Sequence, residues 1–434
     1  FFVSWFGIAP STLAADGTEA QGRPNVVWIM SEDNSKHYLK HFDVDGARAP
    51  AIEALARNGI TFDHAFSCAP VCSVARTTLI TSCYAPRIGT QYHRRIETAL
   101  MPAGVKMFPA YLRGAGYYTT NNSKEDYNAA KGPKVWDESS RKASWKNRPS
   151  KDTPFFHVFT TALSHEGQLH PGKKGPWEDP QTDPNSVKLQ PYFPDTETFR
   201  KTLARYHDHM GLIDKEVAKV VSELKKAGEL ENTFIFYFGD HGGVLPRSKG
   251  YLYESGLHVP LVVRVPNNFS SLTDRQPGDR AKGFVEFVDF GPTVLNLAGI
   301  DVPDGIDGKP FLGPGASAAE VDKRNETFGY ADRFDEKYDL VRSLRIGKWK
   351  YMRNFEPFYP DGMHNDYRYK MEAFTQWREL HKKGELNSVQ EAFYQPKSAE
   401  ALYNIESDPH ETHNLVSQPE HQAKLTELRD RLTK

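Results

Sequence analysis

The sequence predicts an α/β fold with a large, mostly parallel sheet flanked by helices and a smaller C-terminal α+β subdomain. Short apolar segments rich in β-branched and aromatic residues alternate with longer helical patterns, as in parallel strands joined by crossover helices. A stretch rich in Pro, Gly and Asp (301–325) indicates a linker. A hairpin-like pair and charged helices are predicted after it. We therefore expect a leader (1–24), a large α/β domain (25–320) and a C-terminal subdomain (321–434).

The strands of the large sheet are predicted from runs that are apolar throughout, without polar alternation. Such runs are typical of strands buried on both faces. They are NVVWIM (25–30), FFHVFTTAL (155–163), TFIFYFG (233–239) and VPLVVRVP (259–266).

Helical periodicity predicts a short helix over 51–59 that stops at Gly59, and a long one over 196–228 with Gly211 as a candidate interruption. A third helix is predicted over 289–299, with Asp289 as its N-cap. In the C-terminal part, LVRSLRIG and WKYMRNF indicate a hairpin-like pair, and charged helices are predicted near 368–383 and 418–433.

Composition and the N-terminal segment indicate which partners and which location to expect for the protein. Its 434 residues carry 55 Lys and Arg against 56 Asp and Glu, so no net field favours nucleic acid or an anionic membrane. The N-terminal apolar stretch is too short to span a bilayer, and Ala14 and Ala15 suit signal-peptide cleavage. We expect a truncated signal peptide and a periplasmic or secreted protein without a membrane span; a tag-derived or disordered tail is the alternative.

All three cysteines lie within CAPVCSVARTTLITSCY (68–84). In an exported protein, a disulfide or a buried thiol is the ordinary expectation for Cys72. An intervening helix of about ten residues would separate Cys68 from Cys83 by roughly 15 Å, which is beyond the reach of a disulfide. We therefore predict that Cys68 and Cys83 are free, buried thiols.

Polar residues follow two of the predicted strands. Glu32 and Asp33 come after the first strand, and Asp240 and His241 come after the third. Because sites form at the carboxyl ends of parallel strands, these residues suit a divalent cation. The alternative is that the carboxylates cap the following helices.

From Asn25 to about residue 420, the chain resembles type I sulfatases of the alkaline phosphatase superfamily. The blocks that carry the resemblance occur in the family's order. They are PNVVWIMSED, APVCSVARTTLIT, GYYTTNNSK, FFHVFTTALSH, GDHGG, KGYLYESGLHVPLVVRVP, VDFGPTVLNLAGIDVPDGIDGKPF and LYNIESDPHETHNL.

The resemblance implies that Cys72 is converted to Cα-formylglycine by a formylglycine-generating or an anaerobic sulfatase-maturating enzyme. One hydroxyl of the hydrated aldehyde attacks sulfur, and the other then expels sulfate. It further implies one divalent cation, usually Ca2+, a catalytic α/β domain over 25–320 and a sulfated carbohydrate substrate. The implied residues are Glu32, Asp33, Asp240 and His241 for the metal, Arg76 beside the nucleophile, Lys124 and Lys249 on sulfate, and His165 as the acid.

Three departures from the family pattern bear on these roles. Val74 replaces the proline that usually follows two residues after the cysteine, which affects maturation. Glu32 and His241 alter the metal shell, because the family more often has Asp and Asn there. Asp126 stands where the family has a histidine, and we expect it to act as the base that releases sulfate.

Candidate substrate-binding residues follow the nucleophile helix. The stretch QYHRR (91–95) places His93, Arg94 and Arg95 after the nucleophile helix, and arginines bind sulfate or carboxylate in bidentate fashion. His170 and His258 are further candidates for contact with the substrate. Alternatives to a sulfate-ester hydrolase are an N-sulfoglucosamine sulfohydrolase, a formylglycine phosphonate or phosphodiester hydrolase, and a non-catalytic sulfated-glycan-binding protein.

Overall fold

A computed structural model describes residues 22–172 and 179–434 of the chain. The predicted signal peptide therefore lies almost wholly outside the described residues. In the described ranges, no helix is both long enough and apolar enough to cross a membrane.

Nine strands of the described residues form one large mixed sheet. They are β1 (Asn25–Ser31), β2 (Gly59–Phe66), β3 (Tyr118–Asn122), β4 (Glu138–Ser139), β5 (Phe155–Thr161), β6 (Thr233–Gly239), β7 (His258–Val259), β8 (Leu261–Arg264) and β9 (Arg280–Glu286). Their order is β4-β3-β5-β1-β6-β8-β2-β7, with β9 beside β2. Strand β1 lies in the centre of the sheet and runs parallel to β5 and β6.

The predicted strand over 259–266 is split into β7 and β8, and both run antiparallel to β2. Pro260, which lacks an N–H donor, separates β7 from β8. Strand β8 runs antiparallel to both β6 and β2, because no crossover helix of sufficient length separates it from β6. The sheet is mostly parallel as predicted, with this antiparallel exception.

Helices cover the large sheet, and several differ from their predicted bounds. The α-helices are α1 (Pro50–Arg57), α2 (Cys72–Thr81), α3 (Pro109–Gly114), α4 (Glu197–Lys226), α5 (Glu254–Leu257), α6 (Phe287–Leu297), α7 (Ala318–Val321), α8 (Glu372–Lys383), α9 (Ser388–Glu391) and α10 (Gln422–Thr433). Helix α4 continues through Gly211 without interruption. Helices α8 and α10 begin four residues later than predicted, because 3-10 turns precede them.

The predicted N-cap of α6 is wrong. The cap is Glu286, and Asp289 is the third residue of the helix, where its carboxylate accepts a bond from the Glu286 N–H at 3.0 Å. The two side chains form a reciprocal capping box, a pattern that places an acidic residue three positions after the cap. The prediction placed the cap three residues too late because it took Asp289, the second acid of the capping box, for the first acid, Glu286.

The C-terminal part contains a four-stranded antiparallel sheet. Its strands are β10 (Glu326–Ala331), β11 (Val341–Ile346), β12 (Trp349–Asn354) and β13 (Glu400–Asn404), and they lie in this order across the sheet. The predicted hairpin is confirmed as β11 and β12, paired from Ile346 and Trp349 at the turn. The segment 301–325 is not a loose linker, because Phe311 and Leu312 are buried in the main core.

Alternate residues of β1 face opposite cores and so hold its carboxyl end rigidly. Trp28 packs against Phe156 and Phe238 at ring-centroid distances of 5.0 and 5.4 Å on one side. Val27 and Ile29 belong to the core on the other side.

Cys68 and Cys83 are free and buried, as predicted.

Candidate active site

The ends of β1 and β6 bring the Glu32–Asp33 pair and the Asp240–His241 pair together. Ser31 pairs with Gly239, so the residues that follow each strand are neighbours. The backbone N–H of Asp33 donates to Asp240 Oδ1 at 2.9 Å. A Cβ on Gly239 would lie 2.1 Å from the carbonyl oxygen of Asn34, so this close approach of the two strand ends requires glycine.

Cys72 is the first residue of α2 and lies against these strand ends. Its Sγ is 3.3 Å from His241 Nε2 and 3.8 Å from Asp33 Oδ1. Every residue of α2 is buried, which fixes the helix and directs its positive N-terminal end toward the site. A thiol in this position lies within reach of residues from both strand ends.

Donor atoms suited to a cation converge around Cys72. Ligand atoms of Cys72, Asp240 and His241 lie within 4.8 Å of one another, as do those of Asp33, Cys72 and His165. His241 Nδ1 donates to the Gly242 carbonyl at 2.9 Å, which directs Nε2 toward Asp33 and Cys72. A backbone bond of this kind commonly orients a metal-binding histidine.

The electrostatics of this cluster also favour a positive charge. Burial by itself would lower the pKa of His241, but Asp240, Cys72 and Asp33 raise it to about 10. Burial would raise the pKa of Asp33, yet Lys249 and two histidines hold it well below its ordinary value. Two buried carboxylates and a ring nitrogen fit a divalent cation, although the nitrogen makes the set less purely oxygen-based than calcium prefers.

Glu32 faces a different set of groups from the other predicted metal ligands. Its Oε2 is 2.9 Å from Lys124 Nζ and 3.8 Å from His165 Nε2. Its Oε1 is 3.6 Å from Arg76 Nη2. In this structure Glu32 is an anchor for the basic side of the site.

Arg76 and Lys124 form that basic side. Arg76 Nε donates to Asp240 Oδ2 at 3.0 Å, and Nη1 donates to the Lys124 carbonyl at 3.3 Å. Asp126 Oδ2 lies 3.8 Å from Lys124 Nζ, and its carboxylate also accepts two bonds from Arg94 at 3.2 and 3.3 Å. Asp126 therefore lies at the edge of the site, between the lysine and an exposed arginine.

Lys249 is held by Asp33 and by two residues that the sequence did not predict, Glu166 and Arg368. Its Nζ lies 2.9 Å from Asp33 Oδ2 and 2.8 Å from Glu166 Oε1. Arg368, from the segment before α8, donates to the Lys249 carbonyl and lies 3.9 Å from Glu166 Oε2. Glu166 directly follows the predicted catalytic residue His165, so its position in the chain could have indicated a role in the site. No sequence feature of Arg368 indicates such a role.

The basic groups act most strongly at the position of Cys72. Burial alone would raise the pKa of the Cys72 thiol, but Lys249, Lys124 and His241 lower it to about 6. The negative groups in turn raise the pKa of Lys249 well above its ordinary value despite burial. This position therefore stabilises an anion.

His165 is placed to donate a proton. Its Nδ1 accepts the Gly167 N–H at 3.1 Å, so Nε2 carries the hydrogen and faces the site. Burial lowers the pKa of His165, but Asp33 and Cys72 outweigh it and raise that pKa. The ring is 20% exposed, so a substrate can reach it.

The proposed substrate residues occupy different surroundings. His93 is buried, with Nδ1 3.1 Å from Ser73 Oγ, whereas the side chains of Arg94 and Arg95 are exposed. His170 is buried and its ring lies 4.6 Å from that of Tyr367. His258 is not part of the site, because its ring is buried and both nitrogens are engaged, by Glu254 Oε2 at 2.9 Å and the Asp63 carbonyl at 2.8 Å.

Comparison with known proteins agrees with this geometry. A family model described as Sulfatase matches residues 24–300. The chain belongs to the sulfatase family. It is 32% identical to an ulvan-active sulfatase of Formosa agariphila over 94% of this chain and 74% of that protein. It is 24% identical to the human N-sulphoglucosamine sulphohydrolase over 95% of this chain and 90% of that protein.

Solved structures share the fold of this sulfatase. A putative sulfatase from Bacteroides fragilis aligns with a TM-score of 0.68, at 18% identity over 96% of each chain. A protein solved in complex with its substrate D-glucosamine-2-N,6-O-disulfate aligns with a TM-score of 0.65, at 17% identity over 95% of this chain and 97% of that one. The predicted alkaline-phosphatase-like architecture is confirmed, and the sulfatase is a sulfuric ester hydrolase.

Proposed function

We propose that this sulfatase is exported and hydrolyses sulfate esters on a sulfated carbohydrate or polysaccharide. Its nucleophile is a Cα-formylglycine formed from Cys72, and one divalent cation, Ca2+, lies beside it. Relatives named for ulvan and for N-sulphoglucosamine support a sulfated sugar as the substrate. The balance of 55 basic and 56 acidic residues is consistent with such a partner rather than nucleic acid.

The observation that carries the proposal is the position of Cys72 as the first residue of α2, with Sγ 3.3 Å from His241 Nε2 and 3.8 Å from Asp33 Oδ1. This Sγ stands where an oxygen of the hydrated aldehyde would lie, and Lys249, Lys124 and His241 lower the pKa of the Cys72 thiol to about 6 against the effect of burial. A hydrated formylglycine supplies one hydroxyl to attack sulfur and a second to release sulfate afterwards. The surrounding residues stabilise negative charge on such an oxygen.

Each remaining group has a separable task. Lys124 and Lys249 hold sulfate oxygens and stabilise the charge that develops on them. His165 gives its Nε2 proton to the departing sugar oxygen, which leaves as a hydroxyl. Arg76, fixed by Asp240 at 3.0 Å, keeps the nucleophile oriented, and Asp126 accepts the proton of the second hydroxyl.

The cation site is proposed on Asp33, Asp240 and His241, with Glu32 as the predicted fourth ligand. The first three surround Cys72, whereas Glu32 is paired with Lys124 at 2.9 Å. When bound, the cation polarises the sulfate group and balances the carboxylates.

A second candidate is hydrolysis of N-sulfated glucosamine. It is favoured by the human relative, which aligns over 90% of its own length. The release of sulfate from the second hydroxyl is the same in both reactions, so only the leaving group separates them.

The test is sulfate release by protein co-produced with a formylglycine-generating or an anaerobic sulfatase-maturating enzyme. Sulfated oligosaccharides, N-sulfated glucosamine and a phosphonate monoester are compared at equal concentration. We expect release from a sulfate ester, and loss of that release in Cys72→Ala. Exclusive turnover of the phosphonate, or sulfate release retained in Cys72→Ala, would contradict the proposal.

A further inference from the structure

An open cleft of about 880 Å3 adjoins the active site. We call it the arginine cleft, and its lining includes Tyr92, Arg94, Arg95, Glu97, Arg333 and Tyr338. One wall is the loop that follows α2, and the other is the loop that follows β10. The cleft thus lies between the large domain and the C-terminal sheet.

The two walls are fixed to each other. Backbone N–H of His93 donates to the Arg333 carbonyl at 3.2 Å, and Arg333 Nη2 donates back to the His93 carbonyl at 2.7 Å. The rings of His93 and Phe334 meet edge-on with centroids 4.8 Å apart. These contacts join the two loops, so the cleft is a fixed part of the fold and not a gap between independent loops.

The cleft carries arginine donors without acidic partners. Within the described residues, the hydrogen bonds of the Arg95 and Arg333 guanidinium groups go to backbone carbonyls, and neither group joins an ion pair. Arg94 pairs with Asp126, and Glu97 is the acidic residue of the lining. Each guanidinium has five N–H donors, and these bonds engage one nitrogen of Arg95 and two of Arg333, so both keep N–H groups that can bind sulfate or carboxylate.

Aromatic side chains flank these arginines. Tyr92 is 43% exposed and Tyr338 is 59% exposed, although both have large apolar rings. A ring with a polar hydroxyl suits a ligand that presents both C–H faces and hydroxyl groups, as a sugar does. Anionic and sugar-like contacts therefore coincide in one cleft.

Hydrogen bonds and ion pairs connect the lining of the cleft to the residues around the nucleophile. Ser73, which follows Cys72, accepts the Arg94 N–H on its Oγ at 3.0 Å and contacts His93 Nδ1 at 3.1 Å. Asp126 connects Arg94 to Lys124. A sugar with its sulfate at Cys72 would place the next unit of the chain beside the arginines.

We propose that the arginine cleft binds a neighbouring anionic sugar of the polysaccharide, so that the enzyme prefers oligosaccharides to sulfated monosaccharides. The shared chemistry is a carboxylate or sulfate on the adjacent unit, held by Arg95 and Arg333 between Tyr92 and Tyr338. The inference rests on the proposed function, and it adds a subsite contributed partly by the C-terminal sheet.

The test measures binding by calorimetry to Cys72→Ser protein, which removes turnover from the readout. The probes are sulfated tetrasaccharides from ulvan, from a carrageenan and from a sulfated glycosaminoglycan, each beside its sulfated monosaccharide. We expect at least one tetrasaccharide to bind about tenfold more tightly than its monosaccharide, and Arg95→Gln/Arg333→Gln to remove that preference. Arg57→Gln, an exposed arginine on α1, is the matched control and should retain it.

The outcomes separate the cleft from the proposed function. Equal preference in the double variant and the control, or no tetrasaccharide preference at all, would overturn the subsite. Carboxyl reduction of the best ligand then identifies the anion, since loss of preference indicates a carboxylate and retention indicates a sulfate. Sulfate release by matured wild-type protein is measured separately, so failure of catalysis is recognised independently of failure to bind.

Discussion

The ammonium of Lys249 and the carboxylate of Glu166 form a buried ion pair, with Nζ 2.8 Å from Oε1. The side chains are only 3% and 4% exposed. Arg368 stands on the far side of Glu166, so one carboxylate faces two cations. Glu166 is thus a positioning residue for the lysine that we assign to the sulfate group.

Replacing Glu166 by Gln should destabilise the fold and slow catalysis. The change leaves two buried cations without their shared counter-charge, which costs about 3 kcal/mol of unfolding free energy. We expect kcat to fall about 10–100-fold, as for loss of a group that orients a catalytic residue. Urea unfolding and initial rates measure the two effects. Glu320→Gln, in an exposed pair with Lys323, should cost less than about 1 kcal/mol; equal effects in both variants would contradict this role.

Cys72 should be modified in material made with a maturase. The peptide that carries it is expected to be lighter than the thiol form, because an aldehyde replaces SH, and mass spectrometry detects this. Val74 replaces the usual proline, so the modified fraction also reports how well the site is recognised. Cys83→Ala should mature normally, since that thiol is buried away from the nucleophile. Cys72 found only as free thiol after both aerobic and anaerobic maturation would refute the assignment.

Asp240→Asn should abolish both activity and stabilisation by the cation. Asp240 is fully buried, and its carboxylate contacts the Asp33 N–H and Arg76. At a Ca2+ concentration 100 times the dissociation constant, binding should stabilise the wild type by about 2.7 kcal/mol, measured as a shift in Tm. Asp366→Asn, on an exposed loop, should behave as the wild type. Full activity of chelated, metal-free wild type would exclude the metal role.

Glu286 should give the protein a pH-dependent stability. Burial, with Asp289 nearby, raises the pKa of Glu286 from 4.5 to about 7, although Tyr84, Thr327 and Phe328 donate to it. Because the folded state holds this proton more tightly, its contribution is present below pH 4.5 and is lost as the pH rises through about 7.

The variant Glu286→Gln isolates that contribution. The stability of the wild type relative to the variant should fall by about 3 kcal/mol between pH 4.5 and 7, as followed by urea unfolding. Glu420→Gln, on the surface, should leave the pH profile of the wild type unchanged. Parallel profiles for the wild type and Glu286→Gln would show that Glu286 does not titrate in this range.

Much of the large sheet could be predicted because its central strands are apolar throughout. Strands β1 and β6 are buried on both faces, so their sequences differ sharply from the helices around them. Strands β2 and β9 were missed, since β2 carries Asp63 and His64 and β9 begins with Arg280 and Lys282. Polar residues are tolerated there because those parts of the strands reach the surface.

The sequence by itself determined which chemical groups stand at the strand ends and at the start of α2. Cys72, Asp33, Asp240 and His241 occur in short local blocks, and the parallel pairing of β1 with β6 then makes them neighbours. Only the tertiary structure decided the partners of these groups. Glu32 faces Lys124, Glu166 holds Lys249, and the arginine cleft combines loops more than 200 residues apart, as the His93–Arg333 contact shows. Local patterns report burial and backbone preference, whereas ion pairs depend on distances that exist only after the chain has folded.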